Sequence, residues 1–303
     1  MKQEATLTGL KERQTDDWEK WADSWKLLID CSRPSRGDIK IFGGLTNDYI
    51  KQINKPSIVI LGSTPELREL CAAFAAEYDA TVTCVELVDD MYRAMTSLLF
   101  KQNEFEKVVF SNWLEIDLPD NFADVIIGDL TEGNITAEFK EKYYKEMNRL
   151  LKDGGKYITR ATAYIPEESA KPMLEIEEIE NRLSKYKAKV LAGELSIQGA
   201  ACHFGGEMIW DSWYKSGTET LSMVAYKSEI AKLDETYTGG LDAKLIEAFH
   251  IIWDSVMNKY WDFYTLEKTL DQYQKYFISV EHYYASDYPV AKNNPIFSMT
   301  KRG

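Results

Sequence analysis

The stretch Ser57-Ile58-Val59-Ile60-Leu61-Gly62-Ser63-Thr64-Pro65-Glu66-Leu67 decides the fold class. The continuous apolar run Ile58 to Leu61 ends at a glycine, which predicts a short strand buried on both faces. Thr64-Pro65-Glu66 then offers a hydroxyl cap, a proline for the first helical turn and an acid at the positive end of the helix dipole. The predicted helix carries Leu67, Leu70, Cys71 and Phe74 inward and runs to about Tyr78. Strand, tight turn and helix make the first half of a βα unit.

The same alternation continues downstream. Thr81–Glu86 reads as a second strand, followed by a helix from about Asp89 to Phe100. Lys107–Phe110 and Ala123–Gly128 read as the third and fourth strands. A helix over Thr136–Leu151 follows, with Phe139, Tyr143, Met147 and Leu150 on one face. The turn Asp153-Gly154-Gly155 leads into a fifth strand, Lys156–Thr159. Strands alternating with helices in this way predict an α/β fold with a doubly wound parallel sheet. Such sheets bind ligands at the carboxyl ends of their strands.

The flanking regions read differently. Residues 1–55 form a helical lead-in, in which Trp18, Trp21, Trp25 and Leu28 make one apolar stripe over 15–30. The segment Cys31–Asp38 interrupts it, and 40–53 turn helical again. After Arg160 the βα rhythm stops. Residues 165–275 read as a mostly helical insertion, with helices expected over 172–188 and 241–260. Tyr276–Tyr284 and Pro295–Thr300 read as two last strands, so that 56–164 and 276–303 form the core of one enlarged domain.

Composition sets limits on function. The 303 residues are 45% hydrophobic and 28% charged, as in ordinary globular proteins. A formal charge of −13 opposes general attraction to nucleic-acid backbones or anionic lipid, so neither is expected as a partner. Cys31, Cys71, Cys84 and Cys202 fit no metal or disulfide spacing; buried thiols in a reducing cytoplasm are expected. The charged first 30 residues predict no secretory signal, and no apolar run approaches the ~18 residues of a membrane span.

The first two strands carry the chemistry. Gly62 lets a ligand approach the backbone, and the helix after it directs free N–H groups into the same space. Glu86 follows 24 residues later at a strand end, where a carboxylate can hold both hydroxyls of a ribose. A dinucleotide would need a glycine-rich turn for its pyrophosphate. Here there is one glycine, and Glu66 would repel a pyrophosphate. A cofactor without phosphate and with cationic ammonium and sulfonium groups suits this turn; S-adenosylmethionine (SAM) is such a cofactor.

On these residues the sequence resembles the class I, Rossmann-like SAM-dependent methyltransferases. More narrowly, it resembles a branch with a first motif L-G-x-T-P-E-L, seen here as Leu61–Leu67. The resemblance covers roughly 15–162 and the last two strands, which would form the family's final antiparallel hairpin. It implies a cofactor site of Gly62, Ser63, Thr64 and Glu66 at the first turn, and Glu86 with Met91 at ribose and adenine. Ser111-Asn112-Trp113 resembles the adenine-reading segment, with Asn112 in a position that is usually acidic. Asp124–Asp129 resembles the fourth-strand motif that faces the methionine part. Leu150-Leu151-Lys152-Asp153-Gly154-Gly155 resembles the family's L-x-x-G-G turn. Arg33-Pro34-Ser35-Arg36-Gly37-Asp38 resembles a lead-in in which Arg33 or Arg36 could pair with the cofactor's carboxylate.

Methyl transfer from SAM is an in-line displacement that needs orientation and, for some acceptors, a base. Asp129, Glu132 and His203 are the candidate bases, and Asp129 and His203 are expected to be catalytic. His250 and His282 read as packing residues. No metal is expected. The insertion, rich in aromatics (Trp210, Trp213, Tyr214, Trp253, Tyr260, Trp261, Phe263, Tyr264), is expected to hold substrate specificity. No Asn-Pro-Pro-Tyr-like segment follows the fourth strand, which with the acidic charge favours a small-molecule acceptor. Two alternatives stay open: other chemistry on SAM, such as cyclisation or decarboxylation, and a non-catalytic SAM-binding regulator. Self-association into a homo-oligomer also stays open.

Overall fold

In the computed structural model the strand β1 (Ser57–Leu61) is buried at every residue, as its unbroken apolar run requires. The described residues are 22, 23, 25–28, 32–101, 104, 106–164, 176–216, 220–222, 233–253, 260–262, 264–288 and 290–302. They divide between two compact units, one built on Pro34–Ala163 and Tyr264–Gly303, the other on Glu19–Arg33 and Tyr164–Phe263.

The first unit begins with α1 (Arg36–Ile50), followed by β1, α2 (Pro65–Tyr78), β2 (Thr81–Glu86) and α3 (Asp89–Thr96). Next come β3 (Glu106–Phe110), β4 (Ala123–Asp129), α4 (Lys140–Leu150) and β5 (Leu151–Arg160). In the second unit lie α5 (Ile176–Leu191), α6 (Ile197–Ser216) and α7 (Gly240–Trp253). The chain then returns to the first unit with α8 (Leu266–Tyr276), β6 (Phe277–Tyr283) and β7 (Ile296–Lys301).

One seven-stranded sheet runs in the order β6-β7-β5-β4-β1-β2-β3. The pairs β1–β2, β2–β3, β1–β4 and β4–β5 are parallel, whereas β7 is antiparallel to both β5 and β6. This is a Rossmann-like, doubly wound sheet closed by an antiparallel hairpin. The strand order reverses between β1 and β4, so the crevice for a ligand opens at their carboxyl ends.

Alternate residues of the strands feed two cores. Ile58, Ile60, Val82, Val125, Ile127, Ile158 and Ile296 pack with Phe42 of α1 and Leu67, Cys71 and Phe74 of α2. Val59, Leu61, Val85, Ile126, Tyr157 and Phe297 face the other way, towards Tyr143, Tyr144 and Met147 of α4 and Tyr273 of α8. A period of two along each strand delivers side chains to both layers.

Several local details differ from the sequence reading. Helix α1 starts at Arg36, inside the segment expected to be a break. Ser35 and Asp38 form a reciprocal capping box, Asp38 N donating to Ser35 Oγ and Ser35 N to Asp38 Oδ2, both at 3.0 Å. Thr64 precedes α2 without a side-chain cap; the helix start rests on Pro65. The helix expected over 136–151 begins with a short 3₁₀ turn, Ala137–Phe139, and is α-helical only over Lys140–Leu150. Residues 264–275, expected in the insertion, belong to the first unit because Tyr273 of α8 stacks edge-on to Phe297, 4.9 Å between centroids.

In the second unit α6 and α7 meet at Gly205. A Cβ there would lie 2.2 Å from Trp253 Nε1, so only glycine admits the indole. Trp253 is therefore a core residue. Trp18 and Trp21 lie outside the described residues, as do Phe263 and the side chains of Trp210, Trp213, Tyr214, Tyr260 and Trp261. Cys71, Cys84 and Cys202 are buried and in no disulfide, and burial pushes the Cys71 and Cys84 thiols upward. Among the described residues no helix is long and apolar enough to cross a membrane.

Candidate functional site

The carboxyl ends of β1, β2, β3 and β4 bring the motif residues together. Gly62 leaves β1 with φ +81°, a conformation that glycine adopts without a Cβ penalty. Its N–H donates to Val85 O at 2.9 Å, which locks the turn to β2. Trp113 Nε1 donates to the same carbonyl at 3.0 Å. A Cβ on Gly62 would stand 3.3 Å from the Trp113 ring, so the indole lies directly against the turn.

Glu86 ends β2 with only 7% of its surface exposed. Its Oε2 accepts from Ser63 Oγ at 3.0 Å, and its Oε1 accepts from Leu87 N at 2.7 Å and Val88 N at 3.3 Å. Burial raises its carboxyl above the ordinary range, and those donors oppose the rise. The turn and the acid are thus one hydrogen-bonded unit, with Ser63 as the link. Met91, on the half-buried side of α3, follows four residues after Leu87.

Beyond β3, Ser111 N donates to Glu86 O at 2.9 Å, which sets the next turn against the same strand end. Asn112 Oδ1 accepts from Leu114 N at 2.9 Å. The carboxamide acceptor is therefore committed to its own turn, and what Asn112 brings to a base is chiefly the Nδ2 donor. Glu66 is half-buried in the first turn of α2.

At the end of β4, Asp129 does not stand as an open carboxylate. Arg160 Nε donates to its Oδ1 at 2.6 Å and Arg160 Nη2 to its Oδ2 at 3.1 Å. Arg160 Nη1 reaches Asp38 Oδ2 at 2.9 Å and Tyr288 OH at 3.4 Å. Sequence reasoning missed Arg160, which closes β5 next to β4; the position beside the strand end was the signal.

Glu132 turns away from the crevice. It lies in a cage of hydroxyls on the α4–α8 side of the sheet: Tyr144 OH donates to Oε2 at 2.9 Å, Tyr273 OH to Oε1 at 2.5 Å and Tyr157 OH to Oε1 at 3.4 Å. Burial raises its carboxyl, against the opposing effects of Lys140 and these hydroxyls. Thr131 Oγ1, Tyr143 OH and Tyr157 OH continue the chain at 2.8 and 2.7 Å. Glu132 thus anchors the turn after β4 from beneath, and a role as the base is corrected to a structural one.

The remaining candidates lie elsewhere. Arg33 Nη1 donates to Trp25 O at 3.1 Å within the second unit. Arg36 is exposed at the start of α1. His203 stacks on Tyr186, 6.1 Å between centroids, in the second unit. His250 Nε2 meets Asp234 Oδ1 at 3.0 Å, and His282 packs edge-on to Tyr284 on β6.

The fit to SAM can be judged from this donor set. Glu66 and Glu86 lie at the ends of β1 and β2, Asp129 is paired with Arg160, and Leu87-Val88-Asp89-Asp90 after β2 holds no cation. A buried carboxylate beside a positive-φ glycine suits a ribose diol, and the acidic surroundings suit a cationic cofactor rather than a pyrophosphate.

Residues 67–159, from α2 to β5, match a family model described as a methyltransferase domain. No curated protein matches the chain in sequence. Among solved structures, the PH0226 protein from Pyrococcus horikoshii OT3 is similar at 12% identity and a TM-score of 0.49, covering 88% of this chain and 91% of its own. The N-methyltransferase NodS from Bradyrhizobium japonicum WM9, in complex with S-adenosyl-l-homocysteine, is similar at 7% identity and 0.47, covering 94% and 100%. The 1,6-didemethyltoxoflavin-N1-methyltransferase of Burkholderia thailandensis is similar at 10% identity and 0.43, covering 86% and 77%. Likenesses this distant say nothing about substrate. The residues similar to a methyltransferase domain are thus 67–159, which carry the ends of β2, β3 and β4 and the helix after the β1 turn.

Proposed function

We propose that this protein transfers a methyl group from SAM to a small-molecule acceptor in the cytoplasm. The observation that carries the reading is the Gly62–Ser63–Glu86 unit, a positive-φ turn tied by a hydroxyl to a buried carboxylate. In this reading Glu86 holds the ribose hydroxyls, and Met91, Asn112 and Trp113 surround the adenine. Ser63, Thr64, Glu66 and Asp129 face the methionine part. Bound there, SAM supplies the activated methyl group.

What this chain adds is mainly orientation. Asp129, with both oxygens accepting from Arg160, is better suited to fixing charge at the end of β4 than to taking a proton. Transfer therefore proceeds by positioning two reactants in line, a contribution that by itself lowers barriers substantially. His203 lies in the second unit, stacked on Tyr186, and has no role in this reading of the β-strand ends. The acidic net charge supports a small acceptor over a nucleic acid.

The test is transfer itself. The protein is incubated with methyl-tritiated SAM and a cell extract, and label is followed by size. Label in the fraction below about 1 kDa supports the reading; label confined to protein or nucleic acid refutes the small acceptor. Tight binding of S-adenosylhomocysteine with no labelled product in any extract would favour the non-catalytic alternative.

A further inference from the structure

Leu130 stands in a backbone conformation that leucine disfavours. Its φ is +52°, in the left-handed region where a Cβ crowds the following carbonyl and glycine or asparagine is the usual occupant. The surroundings impose it. Leu130 N donates to Arg160 O at 2.9 Å, and Asn134 Nδ2 donates to Leu130 O at 3.2 Å. Thr131 is buried and folds back over β4: its side chain comes within 3.1 Å of where a Cβ on Gly128 would stand, and its Oγ1 lies 2.8 Å from Tyr143 OH. The chain thus reverses at Leu130, directly after β4.

Glycine would make this turn without the penalty, which leaves the side chain itself as the reason for leucine. That side chain is half-buried, and it belongs to neither of the two apolar cores that flank the sheet. Its place in the fold is informative. Leu61 pairs with Gly128 in register, so Gly62–Ser63 and Asp129–Leu130 leave β1 and β4 side by side, where the strand order reverses. An apolar side chain outside both cores, partly exposed and held against its backbone preference beside that crevice, has the form of a ligand contact. We propose that Leu130 is a specificity-determining residue, whose side chain is the apolar wall against the thioether chain of the ligand's methionine part. The inference rests on the reading that SAM binds at the ends of β1, β2 and β4. In that site Glu86 holds the nucleoside, and Leu130 adds affinity for the sulfur-bearing chain.

A leucine kept only for the turn makes a different prediction, since glycine could replace it with no consequence for any ligand. The test is thermal unfolding together with calorimetry on two ligands: S-adenosylhomocysteine, which has the chain, and adenosine, which has the nucleoside alone. Leu130→Gly removes the side chain and the left-handed penalty together. It should unfold at a temperature no lower than wild type, bind S-adenosylhomocysteine about tenfold more weakly and change adenosine by less than about twofold. Leu130→Ala keeps the penalty, so it should show the same ligand pattern at a lower melting temperature than the glycine variant. Leu130→Met, with an apolar and adaptable side chain, should bring S-adenosylhomocysteine back to within about threefold of wild type.

Unchanged affinity for S-adenosylhomocysteine in Leu130→Gly, equal losses for both ligands, no recovery in Leu130→Met, or a glycine variant that unfolds below wild type would overturn the proposal. Failure of the wild-type protein to bind either ligand would instead overturn the SAM-site reading, and this inference with it. The two failures are thus distinguishable.

Discussion

Replacing Glu132 by leucine tests how the turn after β4 is held. The carboxylate is the acceptor for Tyr144 OH at 2.9 Å and Tyr273 OH at 2.5 Å, and more weakly for Tyr157 OH at 3.4 Å. Tyr157 keeps Tyr143 as a partner at 2.7 Å, so leucine orphans two buried hydroxyls, not three. At about 1–3 kcal/mol for each buried group left unsatisfied, the variant should lose roughly 2–6 kcal/mol. Glu132→Gln keeps an acceptor oxygen and removes the buried charge. Because burial raises the Glu132 carboxyl in the folded state, its contribution to stability is present at low pH and lost as pH rises through the folded value. The glutamine variant, which mimics the protonated acid, escapes that loss and should stay within about 1.5 kcal/mol of wild type at neutral pH. Urea unfolding followed by far-UV circular dichroism reads both, with midpoints compared at equal m. A leucine variant within about 1 kcal/mol of wild type would refute the cage as the anchor. So would a glutamine variant as unstable as leucine.

Further outcomes follow from the same geometry. Gly62→Ala puts a Cβ at φ +81° and 3.3 Å from Trp113, so a melting experiment should show a loss of about 1–2 kcal/mol, and titration a weaker cofactor. Wild-type affinity for S-adenosylhomocysteine should fall as pH drops through the raised Glu86 value, because the anion is the acceptor for the ribose; in Glu86→Gln that pH dependence should vanish. Arg68→Met should cost about 3–5 kcal/mol in denaturant unfolding, since it strands Glu106 in a pair whose side chains are both 2% exposed.

Much of the fold was legible because its signals are local. Ile58–Leu61 and Val125–Ile127 are short continuous apolar runs followed by glycine, as strands buried on both faces use. Gly62 and Glu86 belong to adjacent βα units and could be paired by spacing alone. Other parts depend on contacts distant in sequence. Nothing near Glu132 announces Tyr273, which α8 brings across the sheet to hydrogen-bond it. Arg160 reads as the last residue of a strand until the topology places Asp38, Asp129 and Tyr288 around it. The capping box at Ser35 and Asp38 was local and could have been read from S-x-x-D, but the neighbouring Pro34 and Gly37 made the segment look like a break. The base has no local signature either, since Asp129 and Glu132 differ only in which side of the sheet their partners occupy.

The central claim is that the carboxyl ends of β1, β2 and β4 form a SAM site built on Glu86. Calorimetric titration of the purified protein with S-adenosylhomocysteine and with NAD, in wild type and Glu86→Ala, tests it most directly. The account predicts saturable binding of S-adenosylhomocysteine with one site per chain, loss of at least tenfold in affinity in the variant, and no binding of NAD. Tight NAD binding with no response to S-adenosylhomocysteine, or equal affinity in Glu86→Ala, would contradict it.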